Sequence, residues 1–138
     1  MIKLKDNFKR GTREYRCLHR DEAFFIFEVT NTINETEDVY YEVFNLRHTK
    51  MHPMAKDFDP EERVEAYPTD ESFGYWAWCC SNGKVVIKVL REHYGLTTQD
   101  IQNLGSGNAN LAFLLPLMEE LPTEPLNDDY SDSGEAEM

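Results

Sequence analysis

The sequence predicts an α+β domain: a three- or four-stranded antiparallel meander with helices packed on one face, then a C-terminal helical segment and an acidic tail. Three observations carry this. Between residues 13 and 49 three runs rich in aromatic and β-branched residues follow one another with only short polar connections, which builds a meander and not βαβ units. The stretch EAYPTDESFGYWAWCC at 65–80 repeats its large side chains at helical spacing. Three more helical patterns follow before the composition turns acidic. At 138 residues the chain holds one domain with a real core, assigned to 1–121, and a tail at 122–138.

Taken in order, residues 1–12 form a basic N-terminal arm anchored only by Ile2, Leu4 and Phe8. Arg13 to His19 alternates Tyr15, Cys17 and His19 with charged or polar neighbours, as a strand does. Asp21-Glu22 turns the chain into Ala23 to Thr30, AFFIFEVT, a second strand. Residues 31–38 are a polar loop, in which Asn34-Glu35-Thr36 fits the glycosylation pattern but reads as a turn. Val39 to Thr49 alternates again, with Tyr40, Phe44 and Leu46 off one face and Tyr41, Val43 and Asn45 off the other. A second loop, broken by Pro53 and Pro60, leads to a short edge strand at Arg63 to Tyr67.

Pro68 then ends the strand, and Thr69 or Asp70 is placed to cap a helix. Phe73, Trp76, Ala77 and Cys80 fall at i, i+3, i+4, i+7, while Tyr75, Trp78 and Cys79 lie round the side. A helix apolar nearly all round is usually buried, so this one is expected at the centre of the core. Lys84 to Tyr94 reads two ways: a strand leaving an Asn82-Gly83 turn, or a helix with Val86, Val89, Leu90 and His93 on one face and Gly95 as its cap. The ending LREHYG favours the helix. Thr97 to Asp100 is a capping box opening a short helix that Gly105 stops. Leu111 to Leu121 is a last apolar helix, kinked at Pro116. From Pro122 the composition is that of a disordered acidic tail.

The segment YYEVFNLR from Tyr40, a variable loop, then EAYPTDESFGYWAWCCS and the pattern after it resemble a class of small phage and mobile-element proteins. Those chains share a YEV-type strand, a YP-x-[DN]-E-x-FG-x-WAW box and a following helix. The resemblance covers residues 40–94. It implies a helix at 84–94 and an accessory-gene setting, and it implies no catalytic residue.

Net charge is −12, unevenly spread: residues 1–20 hold seven Lys/Arg against two acids, and residues 119–138 hold eight acids and no base. No run reaches the roughly 18 apolar residues of a membrane helix, and the first residues lack the apolar stretch of a secretory signal. Three cysteines leave one odd, and Cys79 and Cys80 are adjacent, so a disulfide framework is not expected. A reduced, cytoplasmic setting follows.

Candidate chemistry is sparse. Cys17-x-His19 and His48-x3-His52 are the closest approaches to metal spacing, and neither forms a zinc pattern. Gly105-Ser106-Gly107-Asn108 lacks the Lys-Ser/Thr of a phosphate-binding loop and reads as an inter-helix connection. No metal and no cofactor is implied. The sequence therefore points to a non-enzymatic protein-interaction module of a phage or mobile element, acting by surface occupation on a protein partner. Its aromatic anchors would be Tyr41, Tyr75 and Trp78. Leu111, Leu114, Leu115 and Met118 form an apolar stripe that wants either the sheet or a second copy, making a homo-oligomer. The alternatives are an enzyme of unknown type and a nucleic-acid factor using Lys3, Lys5, Lys9, Arg10, Arg13 and Arg16, which the acidic body opposes.

Overall fold

The structure is a computed structural model and describes residues Ile2–Glu119; the tail at 122–138 and Leu121 lie outside the described residues. The α+β class is as expected. The chain divides at Asn82 into two compact units, Met1–Asn82 and Gly83–Met138, where the sequence alone reads as one domain.

The first unit is built on a five-stranded antiparallel sheet in the order β1-β2-β3-β4-β7. The meander β1 (Asn7–Arg10), β2 (Arg13–Arg20), β3 (Phe24–Ile33) and β4 (Thr36–Asn45) runs in sequence order, and β7 (Ala77–Cys80) closes against β4. Between them β5 (His48–Lys50) and β6 (Arg63–Glu65) form a separate antiparallel pair. The sheet thus has a strand at each edge beyond the three or four expected. Part of the basic arm is strand β1, because Gly11 at φ +60 lets a two-residue turn fold Asn7–Arg10 back on Arg13–Arg16. The predicted polar loop at 31–38 is continuous hairpin. Asn34 and Glu35 both adopt positive φ, the pairing that matches strand twist, and Ile33 faces Thr36 across it.

The aromatic helix expected at 73–80 is not a helix. Thr69 caps a single 3₁₀ turn, Asp70–Ser72, and the chain then enters β7. Gly74 sits at φ +93, outside the helical region, and its N–H donates to the Ala77 carbonyl at 2.7 Å. Backbone pairing wins over side-chain periodicity here. The free edge of β4, Tyr41 to Phe44, offers hydrogen bonds that Ala77 to Cys80 satisfy.

Strand alternation puts Phe25, Phe27 and Val29 on the same face as Tyr15 and Phe44, and these with Ala77 form the core of this unit. Phe27 and Phe44 stack at 5.6 Å and 20°. A bulge at Leu18 shifts the β2–β3 register, so that Cys17 faces Phe27 but His19 faces Ile26. His19 therefore leaves the face it was expected to share with Tyr15 and Cys17, and packs on Phe24 at 5.0 Å.

The second unit is helical. α1 (Gly83–Tyr94) is the helix favoured over a strand, with Val86, Ile87, Val89 and Leu90 buried. Gly95 at φ +66 and the Leu96 N–H on the Leu90 carbonyl end it. The capping box opening α2 (Thr98–Gly107) is present: Thr97 N–H donates to Asp100 Oδ2 at 2.9 Å, and Asp100 N–H to Thr97 Oγ1 at 3.1 Å. Gly105 does not stop this helix; a Cβ there would lie 2.8 Å from Leu115, so the glycine permits close packing. The last apolar segment is shorter than expected. A 3₁₀ turn at Ala109–Leu111 precedes α3 (Leu114–Met118), where Pro116 occupies the first turn and breaks no hydrogen bond. α3 packs on α1 and α2.

Candidate binding cleft

The sequence elements that make the first unit also open a cavity of about 400 Å³ on its aromatic face. The β1–β2 turn forms one wall, bringing Arg10 and Arg13; Tyr67 and Phe73 form another; Tyr15 and Glu42 lie within. Arg10 and Arg13 are register partners across the Gly11-Thr12 turn, so two guanidinium-bearing residues face each other directly. Thr12 Oγ1 donates to Asn31 Oδ1, and the Thr32 N–H donates to the Thr12 carbonyl at 3.0 Å, which ties the turn to β3.

Glu42 is the unusual residue. It sits between Tyr40 and Phe44 on the apolar face of β4 and is only 7% exposed. The Tyr67 hydroxyl donates to its Oε1. Burial pushes its carboxyl up to about 7, against the pull of Arg13 and Arg10. Its neighbours feel it in turn: burial and the Glu42 charge push Tyr40 up to about 12 and raise the Cys79 thiol. Cys79 faces Glu42 across the β4–β7 ladder.

Tyr67 anchors the far wall. Its ring meets Phe8, Tyr15, Phe27 and Phe44 edge-on at centroid distances of 5.1 to 5.8 Å. Arg10 lies over this cluster, its guanidinium carbon 4.8 Å from the Tyr67 centroid, 5.3 Å from Phe8 and 5.9 Å from Tyr15. Arg13 donates to the Tyr15 hydroxyl, which holds its guanidinium in the charged form. Among the described residues neither arginine has a carboxylate within ion-pair distance.

The residues singled out from sequence fall in different places. Tyr75 is 81% exposed in the turn after Phe73. Tyr41 and Trp78 are half-buried and lie on the sheet face opposite Glu42. Leu111 and Leu114 are fully buried, Met118 nearly so and Leu115 half-buried. The chain's own helices cover Leu111, Leu114 and Met118, and Leu115 in part.

The basic arm is split by strand alternation. Lys9 pairs with Glu14 at 3.6 Å and Arg16 with Glu28 at 3.1 Å on one face; Arg10 and Arg13 point to the cleft on the other. Lys3 and Lys5 are exposed ahead of β1. Among the described residues these cations do not form one continuous row. His19 Nε2 lies 2.7 Å from Asp21 Oδ2, and His52 Nδ1 accepts from the Met54 N–H. Among the described residues no three His, Cys, Asp or Glu side chains converge as metal ligands would.

Sequence reasoning missed Glu42 and Tyr67. The signal for Glu42 was present: in YYEVF the alternation that puts Tyr40 and Phe44 inside puts the glutamate inside with them. Nothing local marks Tyr67, whose role depends on contacts 25 residues away. The chain matches no protein-family model, no curated protein and no solved structure.

Proposed function

We propose that this chain is a non-enzymatic binding module that engages a protein partner through the arginine-rimmed cleft and the exposed Tyr75 turn beside Phe73. The observation that carries the reading is the cleft itself: about 400 Å³, walled by Tyr67 and Phe73, with two arginines that have no carboxylate within ion-pair distance among the described residues. Such a hollow, with an aromatic wall and a few convergent polar groups, is what recognition sites are made of. Tyr75 adds an anchor at its margin, since Phe73 lines the cleft and Tyr75 follows two residues later.

Nucleophilic chemistry has little support by comparison. The three cysteines are free thiols, and burial raises the pKa of Cys17, Cys79 and Cys80 alike, which favours the unreactive protonated form. No helix is long and apolar enough to cross a membrane among the described residues. The resemblance of residues 40–94 to small phage and mobile-element proteins supports an accessory role inside a host cell, exerted by occupying a partner's surface.

The test is a photo-crosslinking phenylalanine analogue placed at Tyr75 of the whole chain and irradiated in host lysate. One discrete heavier species is expected, lost when Arg13→Glu is combined with it. Absence of any adduct from Tyr75, and from the same analogue at Ile33 on the cleft's rim, would overturn the reading. An adduct of twice the chain's mass would assign the surface to self-association instead.

A further inference from the structure

The cleft is specific about charge. Directly opposed like charges destabilise a strand pair, yet Arg10 and Arg13 face each other across a two-residue turn of the sheet. Their one acidic neighbour on the sheet, Glu42, does not discharge them: it is engaged by Tyr67 and is costly to ionise where it lies. Arg10 rests on aromatic faces in place of a counter-ion. What completes this arrangement is a single anion entering from outside.

We infer that the cleft takes one carboxylate of an acidic, aromatic-bearing peptide segment, bound between Arg10 and Arg13, and that Glu42 takes up a proton as it binds. This rests on the binding-module reading and adds the partner's chemistry. Planar guanidinium groups match a carboxylate through paired hydrogen bonds, and Phe73 and Tyr67 offer an aromatic neighbour a wall to pack on. A nucleic acid is the poorer fit. The other four cations of the basic arm are paired on the opposite face or lie ahead of β1, so the cleft presents two charges and no row that would track successive phosphates.

The proton linkage follows from who surrounds Glu42. Arg10 on β1, Arg13 and Tyr15 on β2, Tyr40 on β4, Cys79 on β7 and Tyr67 and Asp70 on the connecting segment are the titratable and charged groups around it, while β3 presents only Phe27. The two arginine charges favour its ionised form, beside the Tyr67 hydroxyl that donates to it. An anion between them cancels that help and adds its own repulsion, so the bound state prefers neutral Glu42. Burial and the Glu42 charge raise Tyr40 and Cys79, which holds both in the neutral form, so they do not share the titration.

The experiment is a titration of the whole ¹⁵N-labelled chain with N-acetylated, C-amidated Phe-Glu dipeptide, followed by NMR. Matched Phe-Gln and Phe-Lys dipeptides and a thymidine octanucleotide are the controls. The acidic probe should shift Arg13 and Asn31 signals saturably, while Phe-Gln and Phe-Lys bind at least tenfold more weakly. With the carboxyl near 7, the neutral fraction of Glu42 changes about tenfold between pH 8 and pH 6, so affinity should rise about tenfold over that range. Glu42→Gln should flatten the pH dependence, and Arg13→Ala should weaken binding at least tenfold at both pH values. Equal affinity for Phe-Gln, or preference for Phe-Lys, overturns the anion site. Tighter, steeply salt-dependent binding of the oligonucleotide at the same residues overturns it in favour of nucleic acid. If no dipeptide shifts these signals while Tyr75 still crosslinks to a host protein, the anion site fails and the binding-module reading stands.

Discussion

Arg20 on β2 reaches Glu65 on β6 across 45 residues of chain, Nη1 to Oε1 at 3.1 Å. Its Nη2 donates to the Leu4 carbonyl at 2.7 Å, and Leu4 N–H donates to the same Glu65 oxygen at 2.7 Å. One guanidinium, seated 4.8 Å over Phe25, thus fastens the N-terminal stretch, the sheet and the β5–β6 pair. Arg20→Ala leaves a side chain only 7% exposed without its counter-charge. Removing one partner of a buried pair costs about 3–5 kcal/mol; Arg20 is itself 29% exposed, which places the loss near the lower end. Amide exchange should show Leu4 and Glu65 unprotected while β3 stays protected. Arg20→Lys should not restore them, since an ammonium lacks the planar fork that spans both acceptors. Unchanged protection in Arg20→Ala would mean the three pieces are held together in some other way.

The pH dependence of stability isolates Glu42. Its carboxyl is raised from 4.5 to about 7 in the folded chain, so between these values the folded state binds the extra proton. The contribution is fully present below pH 4.5 and is lost as pH rises through 7. Integrated over the window this is roughly 3 kcal/mol, at 1.36 kcal/mol for each pKa unit. Glu42→Gln keeps an oxygen to accept from Tyr67 and removes the charge. Urea titrations at pH 5 and pH 8 should show the parent losing stability relative to this variant by that order. Parallel curves for the two proteins would put Glu42 in water.

How far the sequence reached depended on whether the determinant was local. The Thr97–Asp100 box and the Gly95 cap are made of neighbours, and both stand where periodicity and capping chemistry put them. The Phe73–Cys80 helix failed because two long-range facts outweigh its spacing: Gly74 leaves the helical region, and the β4 edge claims Ala77 to Cys80. The same limit hid the site. Alternation in YYEVF placed Glu42 on the inner face, but Arg10 comes from a stretch that reads as a loose basic arm, and its hairpin pairing with Arg13 is not visible in the sequence. The stripe of Leu111, Leu114 and Met118 was legible as apolar; that α1 and α2 cover it is a matter of tertiary packing.

Tyr67 does two jobs, and two substitutions separate them. Tyr67→Phe keeps the ring among Phe8, Tyr15, Phe27 and Phe44 but removes the donor to Glu42. Leaving a buried acceptor unsatisfied costs about 1–3 kcal/mol, more at pH 8 than at pH 5 because bonds to an ionised group are stronger. Tyr67→Ala also empties the ring's place, and large aromatic truncations cost about 3–5 kcal/mol. Denaturation midpoints should fall in the order parent, Phe variant, Ala variant. Equal losses in the two variants would assign the whole effect to the hydroxyl.

The cysteines report on the register that puts β7 at the sheet edge. Cys79 is exposed, Cys17 half-buried and Cys80 fully buried, because Cys79 and Cys80 alternate across a strand. On the helix that the sequence suggested, both would lie in the core. A thiol reagent at pH 8 should therefore modify Cys79 first and leave Cys80 until the chain unfolds. The Cys79 reaction should still be slower than that of a free thiol, since partial burial of its sulfur and the Glu42 charge both raise its pKa and only the thiolate attacks. Its partner across the ladder is Glu42. Glu42→Gln removes that negative charge, so the same variant that flattens the stability profile should label severalfold faster at Cys79 with no change at Cys17. Mass spectrometry of the labelled peptides decides it. Cys80 reacting as fast as Cys79 in the folded chain would remove β7 from the sheet, and with it the wall that sets Glu42 in place.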